Sequence, residues 1–314
     1  MNKFSKKYID KISSSKVYDV AIKTPVTKAE SVSSQFSNKV FLKREDLQPT
    51  HSFKIRGAYN RISNLVEREN AKHVVTASAG NHAQGVAYSA KSLKIKSTIF
   101  MPKTTPSIKV ESVKGYGAKI VLVGDNFDEA LEESLTFCKI KNLPFIHPFD
   151  DPFVIAGQGT IGKELLDQFN KKIDIIFVAV GGGGLISGIG AYVKTVDPKI
   201  KIVAVEAADA AGLNSSLKAN RRVKLKEVGL FADGAAAKQI GKHNYKLITE
   251  WIDDSITVST DEICAAVKDT FIDTRTIPEP TGALALAGLK KYVINKKIKP
   301  VSYTHLRAHD TIDD

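Results

Sequence analysis

One lysine stands in a setting that bears on its chemistry. Lys54 falls in the run His51-Ser52-Phe53-Lys54-Ile55-Arg56-Gly57-Ala58, after Pro49 and just ahead of a helically spaced apolar stripe of Ala58, Tyr59, Ile62 and Leu65. That spacing predicts a helix with Lys54 in its first turn. There the positive end of the peptide dipole and partial burial both disfavour the ammonium form. A neutral amine is what condensation with a carbonyl requires, so Lys54 is a candidate covalent anchor for an aldehyde cofactor. Most lysines are simply solvated, and context alone singles this one out.

Two further runs offer anion chemistry. Val180 is followed by Gly181, Gly182, Gly183, Gly184 and Leu185, between an apolar run and the helical pattern Leu185, Ile186, Ile189, Val193. Glycines let a loop turn tightly and aim backbone N–H groups at a phosphate, and the helix start adds partial positive charge. The alternative is a tight turn that needs glycine only for positive φ. A nucleotide P-loop is excluded because no Lys-Ser/Thr pair follows the glycines. The dinucleotide fingerprint is a nearer miss. Glu206 ends the next strand-like run where a ribose-binding acid would sit, but Gly182-x-Gly184-x-x-Ser187 lacks the third glycine, leaving an NAD-dependent oxidoreductase as the weaker alternative.

The third run is Thr76-Ala77-Ser78-Ala79-Gly80-Asn81-His82. Its small residues leave backbone amides open to a carboxylate, and the Asn81 amide can donate to a phenolate oxygen. Ordinary helix N-capping is the competing account of Ser78 and Asn81. His82 reads as a satisfied histidine at a helix start rather than as a base.

The elements that must carry these runs alternate. HVVTA (73–77), STIFM (97–101), KIVLV (119–123), IIFVAV (175–180) and KIVAVE (201–206) are β-rich, with helical periodicity between them. This predicts parallel strands covered by helices, an α/β fold with ligand sites where strands end and helices begin. Ala83, Val86, Ala87, Ala90 and Leu93 form a small-residue stripe suited to close packing on a sheet, and Phe127, Leu131, Leu135 and Cys138 are expected to line a buried helix face. No internal repeat or long Pro/Gly linker divides the chain.

Composition narrows the function classes. With 314 residues, 43% of them hydrophobic and 25% charged, the chain is an ordinary globular one. No segment approaches the roughly 20 apolar residues of a membrane helix, which predicts a soluble, cytoplasmic protein without membrane contact. Two cysteines, Cys138 and Cys264, are too few for a disulfide framework or a cysteine metal site. The net charge of +12 is scattered, as at Lys94/Lys96 and Lys296/Lys297, without aromatic interleaving, so nucleic-acid binding is not expected.

Taken together and in this order, the three runs resemble the fold-type-II pyridoxal 5'-phosphate (PLP) enzymes, and among them the biosynthetic threonine dehydratases (threonine ammonia-lyases). The resemblance covers about Val20 to Lys291 and includes FLKREDLQPTHSFKIRGAYN, VVTASAGNHAQGVAYSA, HPFDDPFVIAGQGTIGKELL, VAVGGGGLISG, AVEAADAAGL, VGLFADGAAAKQIG and EPTGALALAGLKKY. It implies a tryptophan-synthase-β-like fold of two lobes, each a mostly parallel sheet covered by helices. Residues 1–301 form the catalytic domain, with a larger lobe at about 1–70 and 150–301 and a smaller one at about 71–149. It implies PLP as cofactor, a small amino-acid substrate, assembly as a homodimer or homotetramer, and conversion of L-threonine to 2-oxobutanoate and ammonia on the way to isoleucine. Serine dehydratase, serine racemase and a PLP-binding module without turnover are the alternatives.

Carried over residue by residue, Lys54 matches the lysine that holds the cofactor aldehyde and later moves the substrate Cα proton. Asn81 matches the asparagine on the ring hydroxyl, Gly181 to Leu185 the phosphate cradle, Phe53 a residue beside the ring, and Glu279 a position lining the pocket. Ser78, Ala79, Gly80, Asn81 and His82 match the loop that grips the substrate carboxylate. Relatives place a cation near the counterpart of Glu206. Glu206, Ala208 and Asp209 are available here, but Gly212 replaces an expected second acid, so no metal is predicted.

After Lys299 the resemblance ends. Relatives continue into a buried strand and a Ser-Gly-Ala-Asn turn whose serine faces the cofactor's ring nitrogen, and biosynthetic members add a regulatory domain. Neither pattern is found in SYTHLRAHDTIDD, which reads as an unstructured tail over 302–314, a frame or assembly scar. Losing the strand and the serine predicts weaker cofactor hold and lower stability.

Overall fold

The five apolar runs that read as strands are all extended in the computed structural model, which describes residues 3–169, 173–296 and 302–307. Among the described residues the strands are β1 (Val26–Lys28), β2 (Lys39–Arg44), β3 (His73–Ala77), β4 (Lys96–Met101), β5 (Lys119–Leu122), β6 (Ile175–Ala179), β7 (Lys201–Ala207), β8 (Asp254–Val258) and β9 (Ser302–Arg307). They form two sheets. One runs β1-β2-β9-β6-β7-β8 and the other β3-β4-β5. Only the β1–β2 pair is antiparallel.

The larger sheet is buried on both faces, as a parallel sheet covered by helices must be. Alternation along its central strands sends side chains to opposite cores. Ile175, Phe177, Val203 and Val205 join the helix Pro280–Lys296 on one side. Ile176, Val178, Ile202 and Ala204 meet Leu185, Ile189 and Val193 of the helix Gly184–Val196 on the other.

On the smaller sheet the helix Asn81–Ser92 shows why its stripe is built of small residues. Ala83 and Ala87 lie against Ile99 and Met101, while Val86 and Ala90 face Ile62, Leu65 and Val74 of the neighbouring layer. The helix Phe127–Lys141 departs from the expected face. Phe127 and Leu135 are 45% and 47% exposed, and Ala130, Ser134 and Cys138 are the buried side chains. Cys138 is buried as expected and Leu131 packs against the same core, while Ala130 and Ser134 take the buried places expected of Phe127 and Leu135, because the smallest residues permit the closest approach to the sheet.

The segment after Lys299 corrects the sequence reading in part. Ser302–Arg307 is a strand, paired in parallel with β2 from Lys39↔Ser302 to Arg44↔Arg307, and with β6 from Ile175↔Tyr303 to Phe177↔His305. The slot between β2 and β6 offers a row of backbone donors and acceptors on each side. Backbone pairing fills such a slot whatever the side-chain pattern, which is why the lack of alternation misled. The remainder of the expected tail, 308–314, lies outside the described residues.

Candidate active site

Lys54 opens the helix Lys54–Glu69, with Phe53 ahead of it. A buried ion cluster pins this helix start. The Arg56 guanidinium donates to both Glu45 oxygens at 2.8 Å, to Thr160 Oγ1 at 3.1 Å and to Glu164. The Lys43 ammonium completes the cluster on Glu164 and on the Thr24 carbonyl at 2.7 Å. Two cations against two anions leave it neutral, the condition under which buried charge is tolerated. Next to Arg56, a Cβ on Gly57 would come within 2.5 Å of Gln158 Nε2, and one on Gly157 within 2.6 Å of Arg56 O. These glycines let the helix Pro152–Gln168 cross directly over the Lys54 helix.

The Lys54 Nζ donates to the Pro148 carbonyl at 3.3 Å and lies 5.4 Å from the centre of the Phe53 ring. Burial pulls its pKa down to about 8, against the upward pull of the Glu279 carboxylate. A sizeable share of the amine is therefore neutral near physiological pH.

Lys54 and Phe53 line a cleft together with Gly181, Gly182, Gly183, Gly184 and Leu185. The loop has no room for side chains. A Cβ at Gly182 would run into the Phe149 ring, one at Gly181 would lie 2.9 Å from Ala235 Cα, and Gly183 has φ +92°. Being glycine throughout, the stretch Gly181–Gly184 contributes only backbone to the cleft.

The Ser78–His82 run leaves β3 and enters the helix Asn81–Ser92. Ser78 Oγ accepts from Gly80 N–H at 3.3 Å, no side chain caps the helix, and Ala79 packs against the smaller lobe's core. The space beside Gly80 is open. His82 places Nε2 3.0 Å from the Ile146 carbonyl, and burial, with the nearby Lys54 charge, pulls its pKa down to about 3. It is neutral at physiological pH. Asn81 reaches across from this loop, donating through Nδ2 to Glu279 Oε1 at 3.2 Å. Of the residues singled out in the sequence, Phe53, Lys54 and Gly181–Leu185 share the cleft lining. Asn81 and Glu279 bond to each other but lie outside that lining, as do Ser78, Ala79, Gly80 and His82, and Glu279 acts on Lys54 through its charge.

The structure adds Phe149, Gln158, Ala235 and Thr281 to the lining. Gln158 Oε1 and Thr281 Oγ1 are buried with no protein hydrogen-bond partner. Thr281, two residues past Glu279, was within reach of the sequence reading. Gln158 and Phe149 lie in a run noted only for its resemblance. Glu206 is fully buried and spans the start of the helix Gly212–Lys218, accepting from Leu213 N–H at 2.7 Å and Asn214 N–H at 2.8 Å. Burial raises its pKa to about 7, and those two donors partly offset the rise.

Residues 17–303 match the family described as pyridoxal-phosphate dependent enzyme. The chain belongs to that family. Within it, the chain is 54% identical over 286 residues to the mitochondrial threonine dehydratase of Schizosaccharomyces pombe, covering 91% of this chain and 48% of that protein. Two solved structures are also similar. The processed form of threonine deaminase isoform 2 from Solanum lycopersicum has a TM-score of 0.97 at 43% identity, over 100% of this chain and 86% of that one. Maize serine racemase has a TM-score of 0.90 at 32% identity, over 97% and 94%. The chain spans about half the length of the curated relative named first.

The lining of this pyridoxal-phosphate family member fits its cofactor on its own evidence. A lysine amine with a pKa near 8 stands in the same cleft as a four-glycine loop, and two buried oxygen atoms there lack protein partners.

Proposed function

We propose that this chain carries the catalytic centre of a threonine ammonia-lyase, converting L-threonine to 2-oxobutanoate and ammonia as a step toward isoleucine. The carrying observation is the Lys54 amine, its pKa drawn down to about 8 by burial, in one cleft with the glycine loop. The higher identity to the threonine dehydratase than to the serine racemase favours threonine over serine.

In this reading, Lys54 Nζ is the covalent anchor and Gly181–Leu185 cradle the phosphate. Asn81 and Glu279 meet the ring's hydroxyl side, Phe53 flanks the ring, and Ser78–His82 receive the substrate carboxylate. Bound PLP supplies an electron sink that makes the substrate Cα–H acidic. With PLP and substrate bound, Lys54 Nζ would take up the Cα proton, a role suited to a base with a pKa near the working pH. The β-hydroxyl leaves as water, and a second water is consumed when the enamine product hydrolyses to oxo acid and ammonia. His82 takes no part as an acid, since at neutral pH it is the neutral imidazole and not the imidazolium.

The lobes in this reading are 1–70 with 150–301, and 71–149, with the cleft between them. Among the described residues no helix is long and apolar enough to cross a membrane. The free thiols of Cys138 and Cys264 support a reducing, cytoplasmic setting. A homodimer or homotetramer is part of this reading, as the resemblance to the family implies.

Borohydride reduction in the presence of PLP, followed by peptide mapping, tests the centre and is expected to label Lys54. Oxo-acid release from threonine and from serine, with the chirality of residual serine, tests the substrate. Threonine is expected to be the better one. A label on another lysine, racemised serine, or cofactor capture with no oxo acid would overturn the reading.

A further inference from the structure

Behind the glycine loop lies a residue that the chemistry above does not use. Asn244, in the first turn of the helix Lys242–Trp251, is fully buried. Its Nδ2 donates to two carbonyls at once, Gly182 O at 2.9 Å and Phe149 O at 3.0 Å. The helix that carries it is fixed in turn by Asp150. That carboxylate accepts from the backbone N–H groups of Lys242 at 2.7 Å, His243 at 2.9 Å and Asn244 at 3.2 Å. Gly241 N–H adds a second donor to Gly182 O at 3.1 Å. Phe149 closes the circuit, because its ring lies where a Cβ on Gly182 would be and its carbonyl would sit 2.8 Å from a Cβ on Gly184.

The direction of this grip matters. No peptide in the described residues is cis, and in a trans planar peptide the C=O and the following N–H point opposite ways. Holding the Gly182 carbonyl toward Asn244 therefore turns the Gly183 N–H away from Asn244, toward the cleft that Gly182 and Gly183 both line. Gly183, at φ +92°, has Asn244 Cβ 3.1 Å from where its own Cβ would be, so the asparagine also fills the space behind the turn. Asn244 Oδ1 is buried without a hydrogen-bond partner. A residue kept for packing alone would carry no such unpartnered oxygen, because burying it is costly. The two donated bonds are what the amide contributes.

We propose that Asn244 is a positioning residue for the anion cradle. It holds the glycine loop with its amides aimed at the cofactor's phosphate, so that it governs recognition of the phosphate and not of the ring or aldehyde. The inference rests on the placement of PLP in this cleft.

The experiment compares PLP with pyridoxal, which lacks the phosphate, by absorbance titration of the full chain. Wild type, Asn244→Ala and Asn244→Asp are each checked for a cooperative melt. The aspartate keeps the shape and removes the donors, so it carries the test if the alanine variant does not fold. Both variants are expected to bind PLP more weakly by about tenfold or more, the order of effect for two lost buried hydrogen bonds. Pyridoxal affinity is expected to stay within about twofold, since its recognition involves no phosphate contact. Unchanged PLP affinity, or an equal loss for both ligands, overturns the role of Asn244 while leaving the site standing. A wild-type chain that binds neither ligand overturns both.

Discussion

Asn81 and Glu279, 198 positions apart, meet side chain to side chain at 3.2 Å. One leaves the end of β3 in the smaller sheet, and the other precedes the helix that covers the larger sheet. The Glu279 carboxylate acts on the Lys54 amine through its charge while held by a donor from the end of the smaller sheet. Its charge opposes the effect of burial and keeps the Lys54 pKa from falling further. Removing an anion disfavours a neighbouring cation, so Glu279→Gln is expected to move the pH midpoint of aldehyde capture below about 8. Capture at pH 7 should then be faster than in wild type. Stopped-flow mixing with PLP across pH gives the midpoint, and an unmoved or higher value would refute the coupling.

Lys54→Ala is expected to leave no borohydride-trappable adduct and to lower threonine turnover by ~10³-fold or more, since anchor and proton acceptor are lost together. Thermal stability should not fall, because burial already disfavours the ammonium that is removed. A clear drop in melting temperature would give this lysine a structural role as well.

Much of this arrangement was legible because its signals are local. Five strands, the helix beginning at Lys54 and the glycine loop each follow from spacing within a dozen residues. Elements set by partners far along the chain were not legible. β9 takes its shape from a slot between β2 and β6, and Asn244 draws its significance from carbonyls 62 and 95 positions away. In the helix Phe127–Lys141 half of the buried face was readable, Leu131 and Cys138, and the sheet took the smaller Ala130 and Ser134 in place of Phe127 and Leu135. Gln158 has no distinguishing pattern in the sequence, and only the cleft lining brings it next to Lys54.

Gly183 is the glycine whose replacement should be felt twice. Its φ of +92° disfavours any side chain, and a Cβ would lie 2.8 Å from Ile248 Cδ1. Gly183→Ala is expected to cost ~1–3 kcal/mol of stability from backbone strain. It should also weaken PLP binding, because the strained loop can relax only by turning its amides. Calorimetry and cofactor titration on one preparation check both effects, and a stable variant with wild-type affinity would show that the loop is not held in this shape.

The ion cluster behind Lys54 makes a prediction with a defined pH window. Burial works to raise the Glu164 pKa, but the charges and donors of Arg56 and Lys43 outweigh it and hold the group below its ordinary 4.5. A carboxylate whose folded pKa is depressed stabilises the fold fully above its unfolded value, and that contribution fades as pH falls through the folded value. Glu164→Gln removes one of two anions facing two buried cations, and a broken buried pair costs about 3–5 kcal/mol. Denaturant melts at pH 7 are expected to show that loss. The gap between variant and wild type should narrow below pH 4.5 as the wild-type glutamate takes up its proton. Arg56 lies two residues beyond Lys54, so the same substitution should loosen the helix start and broaden the pH profile of aldehyde capture. Equal stability at pH 7, or a gap that widens in acid, would mean that the cluster does not hold the Lys54 helix in place.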